Sequence, residues 1–375
     1  MTVAAARVLI VGAGPAGLAV AACLRERGVG ARLVDRHAVA GGAYRRMDPE
    51  ILMTTPSALV GLPGLDAPRT TPYLTAEAYG AYLERYAEHH RLVPERARVT
   101  AIAREGSAYR VALTGATTAA AADPVLVPDL GPARVDLFDA IVLATGMFDF
   151  PVRPTLAGLP SSAATGAPPR VVHAADWRVA DARAGERVLI IGGASSAVEI
   201  AEACARVGAI VSVSARDRLA IQPATVLGVD PTRALMPLLG RLPPALAPAF
   251  CSGRMTVPAA DRGFGALRAA GRIAVVPAVA RFDGDHAVLV DGRRLDVDIV
   301  VLATGYRYAV EPAPAELARD DRGVPRTRHG ESRSHPGLFV IGAPCVRRAA
   351  SQYLYGMARD APVIADAIAR RLRRR

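Results

Sequence analysis

Short, unbroken runs of apolar residues recur along the chain, and two of them lead into glycine-rich turns. Val8–Val11 and Val188–Ile191 are such runs, and each is followed by small residues and then by an amphipathic stretch. Each run predicts a strand buried on both faces, and the stretch after it predicts a helix packed on the sheet. Similar runs occupy residues 140–143, 299–302 and 338–341. The pattern predicts an α/β fold with two Rossmann-like dinucleotide-binding domains.

Weaker periodicities fill the intervals between these strands. Residues 76–89 place aromatic residues at helical spacing, which predicts an amphipathic helix, and residues 99–113 alternate as in a β-meander. Residues 115–132 are rich in Ala, Thr, Pro and Gly, which predicts a loop or hairpin tip. Pro- and Ala-rich residues 151–169 predict a crossing between domains. The Pro-punctuated stretch 235–250 is expected to form substrate-side or lid structure.

The two glycine-rich turns are dinucleotide fingerprints of unequal quality. In the second, Ala194 and Ala197 stand at the second and third glycine positions. The first glycine permits the turn out of the strand, the second lets backbone approach a pyrophosphate, and the third lets helix and strand pack closely. A purely structural βαβ unit is the alternative for the second turn. The candidate cofactor-binding residues are Gly12, Gly14, Pro15, Ala16 and Gly17 in the first fingerprint, and Gly192, Gly193, Ser195, Ser196 and Ala197 in the second.

The residues that end the second strand of each βαβ unit differ in charge. Asp35 stands about twenty residues past the first fingerprint, and Arg216 stands at the matching place past the second. A carboxylate accepts hydrogen bonds from ribose hydroxyls, whereas an arginine suits a ribose 2′-phosphate. With Arg36 as a further contact, the first site is predicted to hold FAD and the second NADPH. A chain that holds both cofactors is expected to be an oxidoreductase.

Composition narrows the chemistry further. The chain has no lysine, which excludes a Schiff-base lysine and a P-loop lysine. Its net charge of +11 comes mostly from scattered arginines, so nucleic acid is not expected as a partner. The four cysteines form no Cys-x-x-Cys pair, which argues against a redox-active disulfide and against a zinc site. We therefore expect no metal.

The length of 375 residues predicts two domains. We expect residues 1–150 to begin the FAD-binding domain, residues 165–308 to form an inserted NADP-binding domain, and residues 309–375 to complete the FAD-binding domain. No apolar stretch reaches the ~18 residues needed to span a bilayer, and the first fingerprint argues against a cleaved signal peptide. We therefore expect a cytoplasmic protein without a membrane span, and a homodimer is compatible with the sequence.

Together these motifs resemble the class B flavoprotein monooxygenases, which include the flavin-containing monooxygenases and the YUCCA-type enzymes. The resemblance covers essentially the whole chain. It rests on both fingerprints, a Gly-Gly-x-aromatic-Arg loop at 41–45, Ala-Thr-Gly strand ends at 144–146 and 303–305, and Gly-Leu-Phe-Val-Ile-Gly at 337–342. It implies further cofactor contacts from Gly42, Tyr44, Arg45, Thr145, Gly146, Thr304, Gly305 and Gly342.

The chain departs from the family pattern at two places. Of the family signature before the second fingerprint only His173 and Trp177 remain, and Trp177 fits the Baeyer–Villiger version of it. His173 has a functional and a packing interpretation, and both stay open. Many members place an asparagine near the flavin, but this chain has none, so Thr55 or Ser57 is the candidate for that hydrogen bond.

The resemblance implies an FAD- and NADPH-dependent monooxygenase. In that family NADPH reduces the flavin, and oxygen then adds at flavin C4a to give a (hydro)peroxide that oxygenates a small organic substrate. N-oxygenation, S-oxygenation and Baeyer–Villiger oxidation all stay open. His173, Arg45 and Gln352 are the candidate catalytic residues, as polar contacts near the flavin edge. The apolar character of residues 220–260 favours an apolar substrate, with molecular oxygen as co-substrate.

Two other functions fit the same scaffold. A flavin-dependent reductase would pass electrons from NAD(P)H to a quinone, a ferredoxin or a small disulfide. The absent cysteine pair and the Ala-Thr-Gly segments argue against it. A non-catalytic flavin-binding protein would keep only the fold, and the altered signature at 167–169 together with Ala194 keeps this alternative open.

Overall fold

The chain folds into two compact units, one of which is inserted in the sequence of the other. The computed structural model describes residues 7–37, 39–115, 133–160, 169–252, 258–308 and 311–374. Unit 1 comprises Met1–Met147, Thr232–Arg254 and Tyr308–Arg375. Unit 2 comprises Phe148–Pro231 and Met255–Arg307. The sequence predicts residues 232–254 as part of the inserted domain, whereas their contacts group them with unit 1.

Strands and helices alternate through most of the chain. The first half contains β1 (Val8–Val11), α1 (Pro15–Glu26), β2 (Ala31–Asp35), α2 (Ala76–His89), β3 (Glu95–Arg96), β4 (Arg98–Glu105), β5 (Ala108–Thr114), β6 (Arg134–Phe138), β7 (Ala140–Leu143), β8 (Arg170–His173), β9 (Arg187–Ile191), α3 (Ser195–Arg206) and β10 (Ile210–Ser214). The second half contains β11 (Ile221–Pro223), α4 (Pro231–Leu239), α5 (Pro248–Cys251), β12 (Ala259–Asp261), α6 (Phe264–Ala269), β13 (Ile273–Val276), β14 (Val279–Asp283), β15 (His286–Leu289), β16 (Arg294–Asp296), β17 (Ile299–Leu302), β18 (Thr327–Arg328), β19 (Glu331–Ser332), β20 (Leu338–Val340) and α7 (Leu354–Arg373). Short 3-10 helices cover Gly42–Arg45, Ser57–Leu59, Val179–Asp181 and Pro244–Leu246.

Most of the predicted elements are confirmed. The five apolar runs form β1, β9, β7, β17 and β20, the helix at 76–89 is α2, and the meander at 99–113 lies in β4 and β5. The predicted loop at 115–132 falls outside the described residues except for its first position. None of the helices in the described ranges combines the length and the apolar character that crossing a bilayer requires.

Unit 1 is built on a seven-stranded sheet in the order β18-β19-β20-β7-β1-β2-β3. The strands from β20 to β3 run parallel. Along β1, Val8 and Ile10 pack with α1, α2 and α7, whereas Leu9 and Val11 pack on the opposite face with the antiparallel sheet β4-β5-β6. Both faces of β1 are covered, and this is why its sequence is an unbroken apolar run.

Unit 2 repeats this plan around a five-stranded parallel sheet in the order β13-β10-β9-β17-β8. Val188 and Ile190 pack with α3 on one face, and Leu189 packs with the antiparallel sheet β14-β15-β16 on the other. The predicted α/β fold with two Rossmann-like units is confirmed. In each unit a buried strand, the glycine-rich turn and the following helix stand in the same order.

The first and last segments of unit 2 pair with each other. The amide of Val152 donates a hydrogen bond to the carbonyl of Gly305 at 2.9 Å, and the amide of Arg307 donates to the carbonyl of Phe150 at 3.0 Å. The Thr304 hydroxyl donates to the Val152 carbonyl as well. The chain that enters unit 2 and the chain that leaves it therefore run side by side.

A disulfide corrects one expectation from the sequence. Cys251 at the end of α5 is bonded to Cys345, with the two Cα atoms 5.7 Å apart. The missing Cys-x-x-Cys motif excludes only a local pair, and these two cysteines are separated by 94 positions. They meet because the tertiary fold brings α5 to the loop that follows β20. Cys23 and Cys204 are buried free thiols.

Candidate functional site

Close backbone contacts shape the first nucleotide loop. Gly12 has φ +108°, and a Cβ added to it would lie 2.4 Å from the carbonyl oxygen of Ala144. A Cβ added to Gly17 would lie 1.8 Å from the carbonyl oxygen of Gly12. Both distances are far below van der Waals contact, so packing within the protein requires glycine at both positions. The loop is held between α1 and the Ala-Thr-Gly strand end that follows β7.

The start of α1 is open where a phosphate is expected. Gly14 is the N-cap and Pro15 is the first helical residue, and no side chain in the described ranges caps this terminus. A Cβ added to Gly14 would meet no atom within 4 Å, so packing within the protein does not require this glycine. Unpaired N–H groups and the helix dipole favour an anion at such a terminus. The loop therefore fits a pyrophosphate.

Asp35 ends β2 with a carboxylate that the backbone already orients. Its Oδ2 accepts a hydrogen bond from the amide of Ala13 at 2.7 Å, and its Oδ1 accepts one from the amide of His37 at 2.8 Å. The next residue, Arg36, brings its Nε to 3.2 Å from the His37 ring. The carboxylate is therefore tied to the nucleotide loop itself, and this position suits the ribose hydroxyls of a dinucleotide.

The loop at 41–45 packs directly on the first nucleotide loop. The amide of Gly41 donates to the carbonyl of Ala13 at 3.0 Å. A Cβ added to Gly42, which has φ +58°, would lie 3.1 Å from the Cα of Gly14. The two loops thus form one backbone cradle, and the space at Gly14 lies within it.

Tyr44 and Arg45, the last two residues of this loop, contact α2. The Tyr44 ring lies edge-on to Tyr79 with 5.0 Å between ring centroids, and burial raises the pKa of the Tyr44 hydroxyl above its ordinary value. The Arg45 guanidinium pairs with the Glu84 carboxylate at 3.0 Å. This ion pair gives Arg45 a structural role that the sequence does not predict.

Three hydroxyl groups and one glycine of unit 1 are candidates for cofactor contacts. Thr145 is half-buried, and Gly146 has φ +68° with no atom within 4 Å of an added Cβ. Thr55 and Ser57 are buried at 2% and 3% exposure. The Ser57 hydroxyl makes no hydrogen bond to any described residue, so it is a buried donor that a ligand can satisfy.

Gly342 and Gln352 lie in the C-terminal part of unit 1. A Cβ added to Gly342, which has φ +76°, would lie 3.3 Å from the Ala16 Cβ and 3.3 Å from the Met357 Cε. Gly342 therefore allows the chain to pass close to the fingerprint helix. Gln352 is half-buried immediately before α7, and its side chain hydrogen-bonds that of Tyr353.

The second nucleotide loop, in unit 2, keeps only part of this design. Gly192 has φ +153°, and a Cβ added to it would lie 2.2 Å from the carbonyl oxygen of Ala303. A Cβ added to Gly193 would lie 3.3 Å from the Ala215 Cβ. Ala197 is fully buried at the position of the third glycine. The first glycine is therefore required for the same steric reason as in unit 1, whereas the third position has room for a methyl group.

The start of α3 is uncapped, as is the start of α1. Ala194 is its N-cap, and no side chain in the described part of the chain caps this terminus. Ser195 and Ser196 are half-buried in the first helical turn. Their hydroxyls and the free N–H groups suit a pyrophosphate.

Arg216 follows β10 and is exposed to solvent. Within the residues that the structure describes, its guanidinium makes no hydrogen bond and no ion pair. Arg218, two residues later, is exposed in the same way. A guanidinium without a protein partner can donate paired hydrogen bonds to a phosphate, which a lysine cannot do with the same geometry.

His173 ends β8 beside the second Ala-Thr-Gly segment. It is fully buried, and its Nδ1 accepts a hydrogen bond from the amide of Ala175 at 3.0 Å. Its ring lies edge-on to Tyr306, with 5.2 Å between centroids. Burial, and then the charge of Arg153, lowers the pKa of His173, which keeps the ring neutral near pH 7. Trp177, the other remnant of the signature, is 1% exposed in the unit 2 core.

The structure thus gathers the sequence-predicted residues into two groups. Arg45, Gln352 and the first-fingerprint residues lie in unit 1, and His173, Arg216, Thr304, Gly305 and the second-fingerprint residues lie in unit 2. Sequence reasoning missed a buried ionic cluster that joins the loop before α7 to α7 itself. In it, Asp360 of α7 accepts hydrogen bonds from Arg347 at 2.9 Å, Arg348 at 3.2 Å and Ser351 at 2.6 Å. No sequence spacing distinguishes Arg347 and Arg348 from the other arginines of the chain, which has 46 in all.

Comparison with known proteins agrees with this geometry. The sequence pattern of the family described as "Pyridine nucleotide-disulphide oxidoreductase" matches residues 6–226, more than half of the chain. "Probable indole-3-pyruvate monooxygenase YUCCA9" of Arabidopsis thaliana is 30% identical over 372 residues, which cover 89% of this chain and 83% of that relative. The chain belongs to the flavoprotein monooxygenases of the pyridine nucleotide-disulphide oxidoreductase family. A second relative in this family, "Indole-3-pyruvate monooxygenase YUCCA1" of Oryza sativa subsp. japonica, is 28% identical over 89% of this chain and 86% of its own length.

Solved structures show that the monooxygenase fold is shared. The flavin-containing monooxygenase from Stenotrophomonas maltophilia superimposes with a TM-score of 0.74 at 23% identity, over 96% of this chain and 97% of that chain. The predicted identity of this chain as an FAD- and NADPH-dependent monooxygenase is confirmed by its family membership, and the reductase alternative is not favoured. When bound, the two cofactors supply hydride transfer and oxygen activation. The chain acts on a small molecule and oxygen.

Proposed function

We propose that the loop of unit 1 binds FAD and that the loop of unit 2 binds NADPH. The carrying observation is the contrast between Asp35, a carboxylate fixed by two backbone amides, and Arg216, an exposed guanidinium without a partner among the described residues. An oriented carboxylate suits ribose hydroxyls, and a free guanidinium suits a ribose 2′-phosphate.

On the FAD side, the proposal assigns the pyrophosphate to the N-terminus of α1. The empty space at Gly14 and the uncapped helix support this assignment. Contacts close to FAD are proposed for residues that border this cradle in space or end the neighbouring strand. They are Gly12, Pro15, Ala16, Gly17, Arg36, Gly42, Tyr44, Thr145, Gly146 and Gly342.

On the NADPH side, the proposal assigns the pyrophosphate to the N-terminus of α3 and the 2′-phosphate to Arg216. The uncapped helix and the half-buried hydroxyls of its first turn support the first assignment. The remaining proposed contacts line the same loop or follow β17. They are Gly192, Gly193, Ser195, Ser196, Ala197, Thr304 and Gly305.

A polar contact to the flavin edge is proposed for Gln352, and a polar contact to the cofactor of unit 2 is proposed for His173. Gln352 is half-buried before the N-terminus of α7, and His173 is a buried neutral ring at a strand end, where parallel α/β sheets bind ligands. Arg45 is engaged by Glu84, so we propose that it positions the 41–45 loop against the cradle and does not act on substrate. Ser57 is proposed to donate its unsatisfied hydroxyl to the flavin.

For the substrate, we propose a small molecule in which an apolar aromatic group is joined to a 2-oxo acid. Support comes from the relatives that carry the name indole-3-pyruvate monooxygenase. The exposed apolar side chains between residues 226 and 246 are consistent with an apolar substrate.

Labelled oxygen tests the proposed function. The FAD-loaded protein is mixed with NADPH and ¹⁸O₂ and with an aromatic 2-oxo acid, a thioether, a tertiary amine or a cyclic ketone. We expect one ¹⁸O atom in the product of the 2-oxo acid for each NADPH consumed. Labelled product from another compound alone would overturn the substrate class. NADPH consumption that reduces a quinone or a disulfide without labelled product would instead identify a reductase.

A further inference from the structure

The Cys251–Cys345 disulfide closes a connection that has no part in the proposed cofactor contacts. Cys251 is the last residue of α5, and Cys345 lies three residues after Gly342 in the loop between β20 and α7. Both cysteines are half-buried, so neither residue is sealed in the core. Disulfides in reducing compartments are commonly transient or redox-sensing, and a partly exposed disulfide can be attacked by a thiolate.

Residues 232–252, which we call the strap segment, make polar contacts with the rest of unit 1 besides this bond. The Ala349 amide donates to the Leu242 carbonyl at 3.0 Å, and the Arg348 guanidinium donates to the Gly240 carbonyl at 3.4 Å. The Arg322 guanidinium donates to the carbonyl of Cys251 at 2.7 Å. Most of these contacts reach the stretch 345–355.

Apolar burial contributes little to holding the strap segment. Met236 and Phe250 are buried, but Leu235, Leu238 and Leu246 are each more than half exposed. A segment with few buried apolar contacts opens locally at low free energy. The Cys251–Cys345 bond therefore supplements a small set of buried apolar contacts.

The stretch that holds the strap segment leads directly to Gln352. Arg347 and Arg348 are fixed by the buried Asp360 carboxylate, and Ser351 accepts hydrogen bonds from the amides of both arginines, at 3.2 Å and 2.9 Å. The Phe250 ring of the strap segment lies 6.0 Å from the ring of Tyr353, the residue after Gln352. The strap segment thus touches the chain beside a proposed flavin contact.

We propose that the Cys251–Cys345 disulfide is a site of thiol–disulfide exchange with a dithiol reductant, and that its reduction releases the strap segment from residues 345–355. A dithiol thiolate attacks one cysteine sulfur, and its second thiol resolves the mixed disulfide. The protein disulfide gains two electrons and two protons to become two thiols, and the dithiol loses them to become a disulfide. The effect on substrate binding rests on the proposed function, whereas the release of the strap segment does not.

Thiol counting and hydrogen exchange test the release. The FAD-loaded protein, purified without reductant, is expected to show two free thiols after denaturation, from Cys23 and Cys204. After native treatment with dithiothreitol it is expected to show four. The amides of Ala349 and Cys251 should then exchange at least about tenfold faster, because the contacts across the strap segment open more often. A disulfide that resists native reduction, or reduction without faster exchange, overturns the proposal.

Variants separate this effect from other effects of the reductant. Cys251→Ala/Cys345→Ala should exchange fast at the strap segment with and without dithiothreitol, whereas Cys204→Ala should behave as the unsubstituted protein with one thiol fewer. In turnover assays, reduction should raise the substrate KM more than it changes kcat, and the double variant should not respond to reductant. If the protein oxygenates none of the compounds tested, the proposed function fails, and hydrogen exchange alone decides the proposal on the disulfide.

Discussion

The two nucleotide loops share a backbone scheme but differ in how tightly the helix approaches. In unit 1 the amide of Gly12 donates to the carbonyl of Val34, and in unit 2 the amide of Gly192 donates to the carbonyl of Ser214, at 2.8 Å and 2.9 Å. In both loops the carbonyl oxygen of an alanine, Ala144 after β7 or Ala303 after β17, blocks any Cβ on the first glycine. At the third position, however, Gly17 has no room for a methyl group, whereas Ala197 already carries one.

This difference shows which glycines belong to the turn and which belong to the helix contact. The first glycine is required by the turn and is present in both units. The third glycine is required only where the helix lies against the loop backbone, as α1 does. The second position is unblocked by the protein at Gly14, so under the proposed assignment only the ligand limits the side chain there.

The two side chains proposed to contact the ribose differ in preorganisation as well as in charge. Asp35 is fixed by two backbone amides, whereas Arg216 has no partner among the described residues. Binding to a fixed group carries less ordering cost than binding to a free side chain. This contrast favours a retained cofactor on unit 1 and an exchanging one on unit 2.

The largest effect is expected from a substitution that disrupts the contact between α1 and the first nucleotide loop. Gly17→Ala forces a Cβ to within 1.8 Å of the Gly12 carbonyl oxygen, so we expect a loss of about 3 kcal/mol or more and a protein that retains little FAD. Ala197→Gly, its counterpart in unit 2, should lose only about 1 kcal/mol. Urea unfolding and flavin absorbance per protein measure both. Equal losses in the two variants would contradict the difference in helix approach.

The next effect concerns the 2′-phosphate. Arg216→Gln should raise the KM for NADPH about ten- to a hundredfold, because a charge-assisted phosphate contact contributes roughly 1.5–3 kcal/mol. The KM for NADH should not change. Arg218→Gln is the matched control, since Arg218 is also exposed and has no partner among the described residues. If Arg216→Gln changes the KM for NADPH and the KM for NADH by the same factor, the charge contrast between the units has no role in cofactor choice.

A smaller effect separates ligand contact from packing at the second position. Gly14→Ala should leave the stability of the FAD-free protein unchanged, since the added Cβ meets no atom. It should weaken FAD binding about tenfold, because steric crowding of the pyrophosphate by the methyl group would cost ~1–2 kcal/mol of binding free energy. FAD titration and thermal unfolding of the FAD-free protein measure the two quantities. A loss of stability in the FAD-free Gly14→Ala protein would contradict the assignment of this position to ligand contact.

The matching position in unit 2 allows the reverse substitution. Ala194→Gly should lower the KM for NADPH a few-fold.

The smallest effect is a pH dependence confined to unit 2. Burial raises the pKa of Glu199 in α3 to about 7, with Glu202 adding to the rise and Arg262 opposing it. The folded state therefore favours the protonated carboxyl, so its contribution to stability is lost as the pH rises from about 4.5 to 7. Glu199→Gln should reduce this pH-dependent loss of unfolding free energy by about 1–2 kcal/mol, measured by urea unfolding at several pH values. Glu88→Gln, at an exposed site on α2, should leave the pH dependence intact, and an unchanged slope in Glu199→Gln would contradict the shift.

The sequence predicts the strands, the turns and the charge contrast because each depends on local patterns. Four apolar residues in a row mark β1 and β9, and fixed spacing marks Asp35 and Arg216. Contacts between distant segments leave no such trace. The Arg45–Glu84 ion pair and the grouping of residues 232–254 with unit 1 depend on tertiary packing alone.

The paired segments at the two ends of unit 2 bear on how an insertion of this size is tolerated. A flexible loop loses more entropy on closure as it lengthens. Here the hydrogen bonds between Val152 and Gly305 and between Arg307 and Phe150 hold the ends of the insertion about one strand spacing apart, ~4.8 Å. Once unit 2 has folded, the entropy cost of closing unit 1 around it is therefore that of a loop of only a few residues.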